Sequence, residues 1–159
     1  MNTAYLLIGG NLGDRVAYLA EAVKQISARC GRVTSTSSLY ETAAWGNTNQ
    51  PAFYNQAISV ETILEPEILL ERLLAIEIEM GRVRTEKYGP RTIDLDILMI
   101  DDRILDTPTL TIPHPQLQNR RFALLPLVEI ASELNHPVLD KTIHELLLIC
   151  LDKLDVQKK

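Results

Sequence analysis

Only two cysteines, Cys30 and Cys150, occur in 159 residues, in no Cys-x-x-Cys or Cys/His spacing, which excludes a zinc cluster and a disulfide framework. Both are expected to be reduced structural thiols. No apolar stretch approaches the roughly 20 residues that cross a bilayer. The amino terminus MNTAYLLIGGNLGDR has neither a positive n-region nor a small-residue cleavage site, so a cytoplasmic protein with no membrane partner is expected. Basic side chains are in deficit, 16 against 21 acidic, for a formal charge of −5. A general grip on nucleic-acid backbones is therefore not expected, and any bound polyanion needs a local basic patch. Also missing are a Gly-x-x-x-x-Gly-Lys-Ser/Thr loop, a dinucleotide fingerprint at Gly9-Gly10-Asn11-Leu12-Gly13, and the Asp-Phe-Gly and His-Arg-Asp motifs of protein kinases. Repeats, linkers and low-complexity tracts are absent too. What remains, 46% hydrophobic and 23% charged, is the composition of a chain that folds unaided, and its length suits one domain, residues 1–159.

Ala4 to Ile8 is a short apolar run closed by Gly9-Gly10, the pattern of a buried strand and turn. Asn11 is the expected cap of a helix whose Val16, Leu19, Val23 and Ile26 share one face and which ends near Gly31. Val33 to Tyr40, rich in Thr and Ser, reads as one exposed extended segment, and Glu41 to Pro51 as a long loop of the kind that is often functional. Phe53 to Ile63 alternates as a strand, with Phe53, Asn55, Ala57, Ser59 and Glu61 on one side. Pro66 opens a second helix with Ile68, Leu69, Leu73, Ile76 and Met80 in one stripe, and Gly81 ends it. A basic loop, Arg82 to Arg91, then leads into Thr92 to Ile100, whose near-continuous apolar character predicts a central strand. Asp101-Asp102 turns the chain. A short strand at Leu110 to Ile112, the extended Pro113-His114-Pro115, and helices over Phe122 to Ile130 and Ile143 to Leu151 follow. The order predicts an α+β sandwich with a ferredoxin-like β-α-β-β-α-β core and an extra C-terminal strand and helices.

The chemistry concentrates in GRVRTEKYGPRTIDLDIL, residues 81–98, where Arg82, Arg84, Lys87 and Arg91 stand before two carboxylates. In a strand, Asp94 and Asp96 face the same way with Cα atoms about 6 to 7 Å apart, while Ile93, Leu95 and Ile97 anchor the opposite face. A bare Asp-x-Asp is most often the solvated acidic face of an edge strand. Set in an apolar strand beside a cationic loop, the pair suits Mg²⁺, which takes few protein oxygens and leaves positions to water and phosphate. Neighbouring arginines would hold the phosphate charge.

Lys87 to Leu98, KYGPRTIDLDIL, resembles the signature of the 6-hydroxymethyl-7,8-dihydropterin pyrophosphokinases of folate biosynthesis. The likeness extends through Ile8 to Gly13, Tyr40-Glu41-Thr42, Asn55, Gly81 to Arg84, Pro113-His114 and Asn119 to Phe122. The resemblance implies transfer of pyrophosphate from ATP, as co-substrate, to the pterin hydroxymethyl group, giving AMP, in a monomer that needs no nucleic-acid partner. It implies that Asp94 and Asp96 bind two Mg²⁺ ions, that Arg82 and Arg91 are catalytic with them, and that Glu77, Arg84, Tyr88, Arg91, Ile97, Thr111, His114 and Arg120 contact ATP. The pterin site would comprise Thr42, Ala44, Trp45, Phe53, Asn55, Asp94 and Phe122, with Phe53 and Phe122 sandwiching the ring and Asn55 reading its edge.

Each residue has a plainer reading beside it: Phe53 and Phe122 as core aromatics, Asn55 as a backbone-satisfying side chain, His114 as a surface residue in a rigid turn, and Glu77 on a solvated helix face. His136 and His144 are expected to be structural. The chain departs from the family pattern at Gly10, Tyr88 and Pro115, in a basic loop with Thr85 and Lys87 after Arg84, and at Trp45, expected to lie as a lid over the pterin. The loops at 43–51 and 82–91 are expected to close after ATP binds. Two rival readings are a non-catalytic binding module with the same fold and a Mn²⁺-dependent nucleotide-sugar transferase, for which the chain is short.

Overall fold

Leu6 and Ile8 face one side of the first strand and Leu7 the other, and all three are buried, so the strand must be covered above and below, as in the middle of a layered fold. In the computed structural model, which describes residues 1–43, 50–81 and 93–159, β1 (Asn2–Gly10) takes that central place. It is followed by α1 (Arg15–Arg29), β2 (Arg32–Thr36), β3 (Tyr40–Thr42), β4 (Phe53–Thr62), α2 (Pro66–Glu79) and β5 (Asp94–Ile100). A short hairpin of β6 (Leu105–Asp106) and β7 (Thr111–Ile112) leads to α3 (Arg121–Ala131). A second, β8 (Asn135–His136) with β9 (Lys141–Thr142), leads to α4 (Ile143–Ile149), and β10 (Val156–Lys158) closes the chain.

The main sheet is antiparallel in the order β10-β3-β4-β1-β5, with β2 also on β4. On one face, Leu19, Ala22 and Ile26 of α1 and Leu69, Leu73 and Ile76 of α2 pack on Leu6, Ile8, Ile58, Val60, Leu95 and Ile97. On the other, Ala123, Leu124 and Leu127 of α3 and Ile143 and Leu146 of α4 pack on Leu7, Ala57, Leu98 and Met99. A register shift between Tyr5 and Leu6 explains why the consecutive residues Leu98 and Met99 both join this second core.

Several local expectations change. Asp14, not Asn11, caps α1, its carboxylate accepting the Ala17 N–H at 3.1 Å. Val16 lies in the first turn and is 52% exposed, because the buried stripe begins one turn later at Leu19; Ile68 in the first turn of α2 is likewise exposed. The single segment expected over Val33 to Tyr40 is two strands, β2 and β3, which meet β4 at separate places. Gly9-Gly10 continues the strand instead of turning it. The largest change concerns β5, which is an edge strand among the described residues, not a central one. Its apolar run reports two faces covered by helices, not two paired edges.

Helix α3 is tied to the far side of the sheet by Glu129, which accepts from the Ser38 N–H at 2.8 Å, the Ser38 hydroxyl at 3.1 Å and the Tyr40 hydroxyl at 2.7 Å. Burial and the bond to Glu129 push the Tyr40 phenol up to about 12. Burial acts to raise the Glu129 pKa, yet the three hydrogen bonds and the Lys158 charge outweigh it and hold the carboxylate below its usual range. A depressed carboxylate contributes stability above its unfolded pKa and loses it as pH falls, whereas a raised phenol loses its contribution as pH climbs from about 10 toward 12. Tyr40→Phe is expected to cost about 1 kcal/mol at pH 7 and to lose less stability than the parent on acidification. Urea midpoints at pH 7 and pH 4 check this, and equal losses in both proteins would contradict it.

Candidate active site

Gly9 of β1 pairs with Asn55 of β4 on one side and with Asp94 of β5 on the other, so the three residues form a row across the sheet on the face covered by α3 and α4. Two strand spacings separate Asn55 from Asp94 by about 10 Å. A Cβ at position 9 would collide with the Asn55 Oδ1, so the glycine is what lets the amide lie over β1. Asn55 is 95% buried, at 5% relative exposure, and its Nδ2 has no hydrogen-bond partner among the described residues. A buried donor left unsatisfied costs about 1–3 kcal/mol, which makes Asn55 a candidate for serving an acceptor that the fold itself does not supply. Phe53, two residues earlier, shares the face and is half-buried; Thr42 is its register partner, and the Thr42 hydroxyl donates to the Asp155 carbonyl at 3.0 Å.

Asp94 and Asp96 stand half-buried on the same face, while Ile93, Leu95 and Ile97 are buried in the α1/α2 core as expected. The Ile97 side chain is therefore taken up by the core and not exposed to a ligand. Glu77 is not on a solvated helix face: it is 2% exposed, and its Oε2 accepts the Leu95 N–H at 2.7 Å. The reason lies in the position of β5 at the sheet edge, where a backbone N–H not given to a neighbouring strand needs another acceptor. The carboxylate of α2 thus braces the strand between its two aspartates.

His114 joins this group from the segment after β7. Its backbone N–H donates to the Leu98 carbonyl at 2.9 Å, and its Nδ1 accepts the Gln116 N–H at 3.1 Å. Burial and the Arg120 charge push the imidazole down to about 4, against the opposing charge of Asp94. His114 is therefore neutral at pH 7, and since Nδ1 accepts, its proton sits on Nε2, a donor suited to a phosphate oxygen. Arg120 immediately precedes α3, with its guanidinium carbon 5.7 Å from the centroid of Phe122 in the first turn. Asp94, His114, Arg120 and Phe122 thus converge. Thr111 lies half-buried on β7. Ala44, Trp45, Arg82, Arg84, Tyr88 and Arg91, and the loops expected to close, lie outside the described residues apart from the ends of the first loop.

Among the described residues no three His, Cys, Asp or Glu side chains cluster as a metal cage. Two hard carboxylates on one strand face, with no third protein ligand beside them among the described residues, fit Mg²⁺, which keeps water and substrate oxygens for its remaining positions. His136 is structural, its Nδ1 accepting the N–H groups of Val138 and Leu139. The residues missed by sequence reasoning are Gly9 and Asn11. A glycine inside a strand pattern signals close approach of another group, and that signal was available at Gly9.

Glu77→Gln keeps a carbonyl acceptor for Leu95 and is expected to stay within about 1 kcal/mol of the parent, whereas Glu77→Leu orphans that N–H and is expected to cost about 1–3 kcal/mol. Urea denaturation of the two variants decides it; equal stability of both would remove the brace.

Comparison with known proteins bears on the chain as a whole. The profile of the family 7,8-dihydro-6-hydroxymethylpterin-pyrophosphokinase matches residues 5–132. The 2-amino-4-hydroxy-6-hydroxymethyldihydropteridine pyrophosphokinase of Methylorubrum extorquens is 44% identical over 135 residues, covering 84% of this chain and 85% of its own length. The folic acid synthesis protein fol1 of Pneumocystis carinii is 43% identical over 134 residues, which span 84% of this chain but only 18% of that longer protein. In structure, the HPPK-DHPS protein of Plasmodium falciparum, solved with pteroate, aligns with a TM-score of 0.76 at 19% identity, covering 92% of this chain and 42% of that one, a likeness of fold alone. A profile match over most of the chain, together with 44% identity to a relative covered over 85% of its length, is decisive: the chain belongs to the 7,8-dihydro-6-hydroxymethylpterin pyrophosphokinase family.

Proposed function

We propose that this chain transfers a pyrophosphoryl group from ATP to the hydroxymethyl oxygen of 6-hydroxymethyl-7,8-dihydropterin in folate synthesis. The observation that carries the reading is the buried Nδ2 of Asn55, without a partner among the described residues, at one end of a row whose other end is the Asp94 carboxylate, about two strand spacings away. That span matches a flat bicyclic heteroaromatic with its reactive arm toward the acidic end. The pterin hydroxymethyl oxygen bonds to the β-phosphorus of ATP, the bond from that phosphorus to the oxygen of the α-phosphate breaks, and AMP leaves while the hydroxyl proton passes to solvent.

In-line transfer of this kind asks a protein for position and charge neutralisation. Asn55 supplies amide donor and acceptor to the pterin edge, and Phe53 and Phe122 stack on its faces, with Thr42, Ala44 and Trp45 completing that side. Neutral His114, through Nε2–H, and Arg120 donate to phosphate oxygens, Arg82, Arg84 and Arg91 share the phosphate charge, and Tyr88 and Thr111 serve as further nucleotide contacts. Asp94 and Asp96 would hold Mg²⁺, two ions by family likeness, which supply electrostatic stabilisation of the phosphates when bound. Glu77 serves from behind by bracing Leu95. We read the working unit as one monomeric cytoplasmic domain with a ferredoxin-like core and no nucleic-acid or membrane partner. Among the described residues, no helix is long and apolar enough to cross a membrane.

Incubation with ATP, Mg²⁺ and 6-hydroxymethyl-7,8-dihydropterin is expected to yield AMP and the pterin diphosphate together, followed by anion-exchange chromatography. ADP would mean a monophosphoryl kinase, and no turnover a binding module. Asp96→Asn keeps the side-chain volume but removes a charged oxygen ligand, so kcat is expected to fall by a factor on the order of 10² to 10⁴ in a folded protein. Circular dichroism beside the kinetics checks this, and near-normal turnover would remove Asp96 from the site.

A further inference from the structure

Asn11 is 1% exposed, yet it caps no helix, because Asp14 fills that position three residues later. Its amide reaches across to the far end of the 43–51 loop, donating to the Gln50 Oε1 at 2.8 Å and to the Pro51 carbonyl at 2.9 Å. Arg15, at the start of α1, donates to the Ala52 carbonyl at 2.7 Å and lies 4.0 Å over the Tyr54 ring, and it stands 3.8 Å from Glu41 on β3. Two side chains from one turn therefore hold Gln50, Pro51, Ala52 and Tyr54. Those positions lead the chain into Phe53 and Asn55.

The geometry matters because β4 enters the site at its first residues. Phe53 and Asn55 project from the beginning of the strand, where a frayed end would let both side chains wander. From Phe53 onward β4 is paired with β3, and from Tyr54 onward with β1, so what the turn between β1 and α1 fixes is the segment just before the strand, Gln50 to Ala52. Asn11 suits that position chemically, since a carbonyl oxygen and an amide oxygen both need a donor, and an asparagine Nδ2 supplies two N–H groups in one plane. Arg15 adds a charge-assisted donor and a flat cation for the Tyr54 ring.

We propose that Asn11 and Arg15 are positioning residues that set the affinity of the pterin site through the Gln50–Tyr54 segment, without contact with pterin or nucleotide. This rests on the function proposed above. A clamp that acts only on overall stability would impair both substrates alike, whereas this one touches the pterin end of the row and leaves Asp94, Asp96, His114 and Arg120 as they are. The effect is therefore on KM for the pterin and not on KM for ATP.

The test uses Asn11→Ala, Arg15→Met, Arg15→Lys and Gln50→Ala in the full chain, with steady-state kinetics in each substrate and direct binding of 6-hydroxymethyl-7,8-dihydropterin followed by its fluorescence. Loss of one or two buried hydrogen bonds is expected to raise the pterin KM roughly five- to twentyfold in Asn11→Ala and Arg15→Met, with ATP KM within about twofold. Arg15→Lys, which keeps a donor for Ala52, is expected to recover part of the loss. Gln50→Ala removes a half-buried loop side chain and decides the matter if Asn11→Ala fails to fold. Equal rises for both substrates, or no rise in the pterin KM of the folded variants, overturn the proposal. If the parent protein binds the pterin but forms no AMP, the proposed reaction fails on its own; the binding series still judges the clamp, weakened binding in the variants sustaining it and unchanged binding ending it. If the parent binds no pterin, the clamp falls too.

Discussion

The register of β1 between β4 and β5 is the constraint on which the rest depends. Gly9 opposite Asn55 and opposite Asp94 places an amide and a carboxylate on one face, and a slip of one residue in either pairing would send one of them to the α1/α2 core. That slip is prevented by burial on both faces. Leu6 and Ile8 must meet α1 and α2 while Leu7 meets α3 and α4, so any shift would trade apolar contacts for exposed ones along the whole strand. The hydrophobic packing thus does more than stabilise the sheet. It sets the place of each polar group at the site.

A second layer of control comes from polar side chains on helices and turns that finish what the sheet leaves open. Glu77 of α2 takes the Leu95 N–H at the edge of β5, Glu129 of α3 takes the Ser38 and Tyr40 donors beside β3, and Asn11 and Arg15 take the carbonyls that lead into β4. Each of these contacts secures a strand end near the site. Strand ends are where a sheet is weakest and where the candidate site residues stand, Phe53 and Asn55 on β4 and Asp94 and Asp96 on β5.

Legibility followed the range of the interaction. The alternation of β4 put Phe53 and Asn55 on one side, and the Asp-x-Asp spacing put both carboxylates on one face, as found, because a period of two is local and needs no partner. The plainer reading of Glu77 as a solvated helix residue failed because nothing in a helix reveals that the edge of a distant strand lacks an acceptor. Asn11 misled for a related cause: its composition suits a cap, and its partners lie 39 and 40 residues away. The apolar run of β5 predicted a central strand because covered faces and paired edges leave the same trace in composition.

The amino-acid sequence alone determined the types and order of the elements, the shared face of each candidate pair, and the family motifs, since all of these are carried by short-range spacing. Only the tertiary structure decided that Asn55 and Asp94 flank Gly9 in one row, that His114 is neutral beside Arg120, and that Glu77 takes the Leu95 N–H while Asn11 donates to Gln50. The physical reason is that burial, hydrogen-bond partners and local charge are properties of segments brought together from far along the chain. No single segment encodes them.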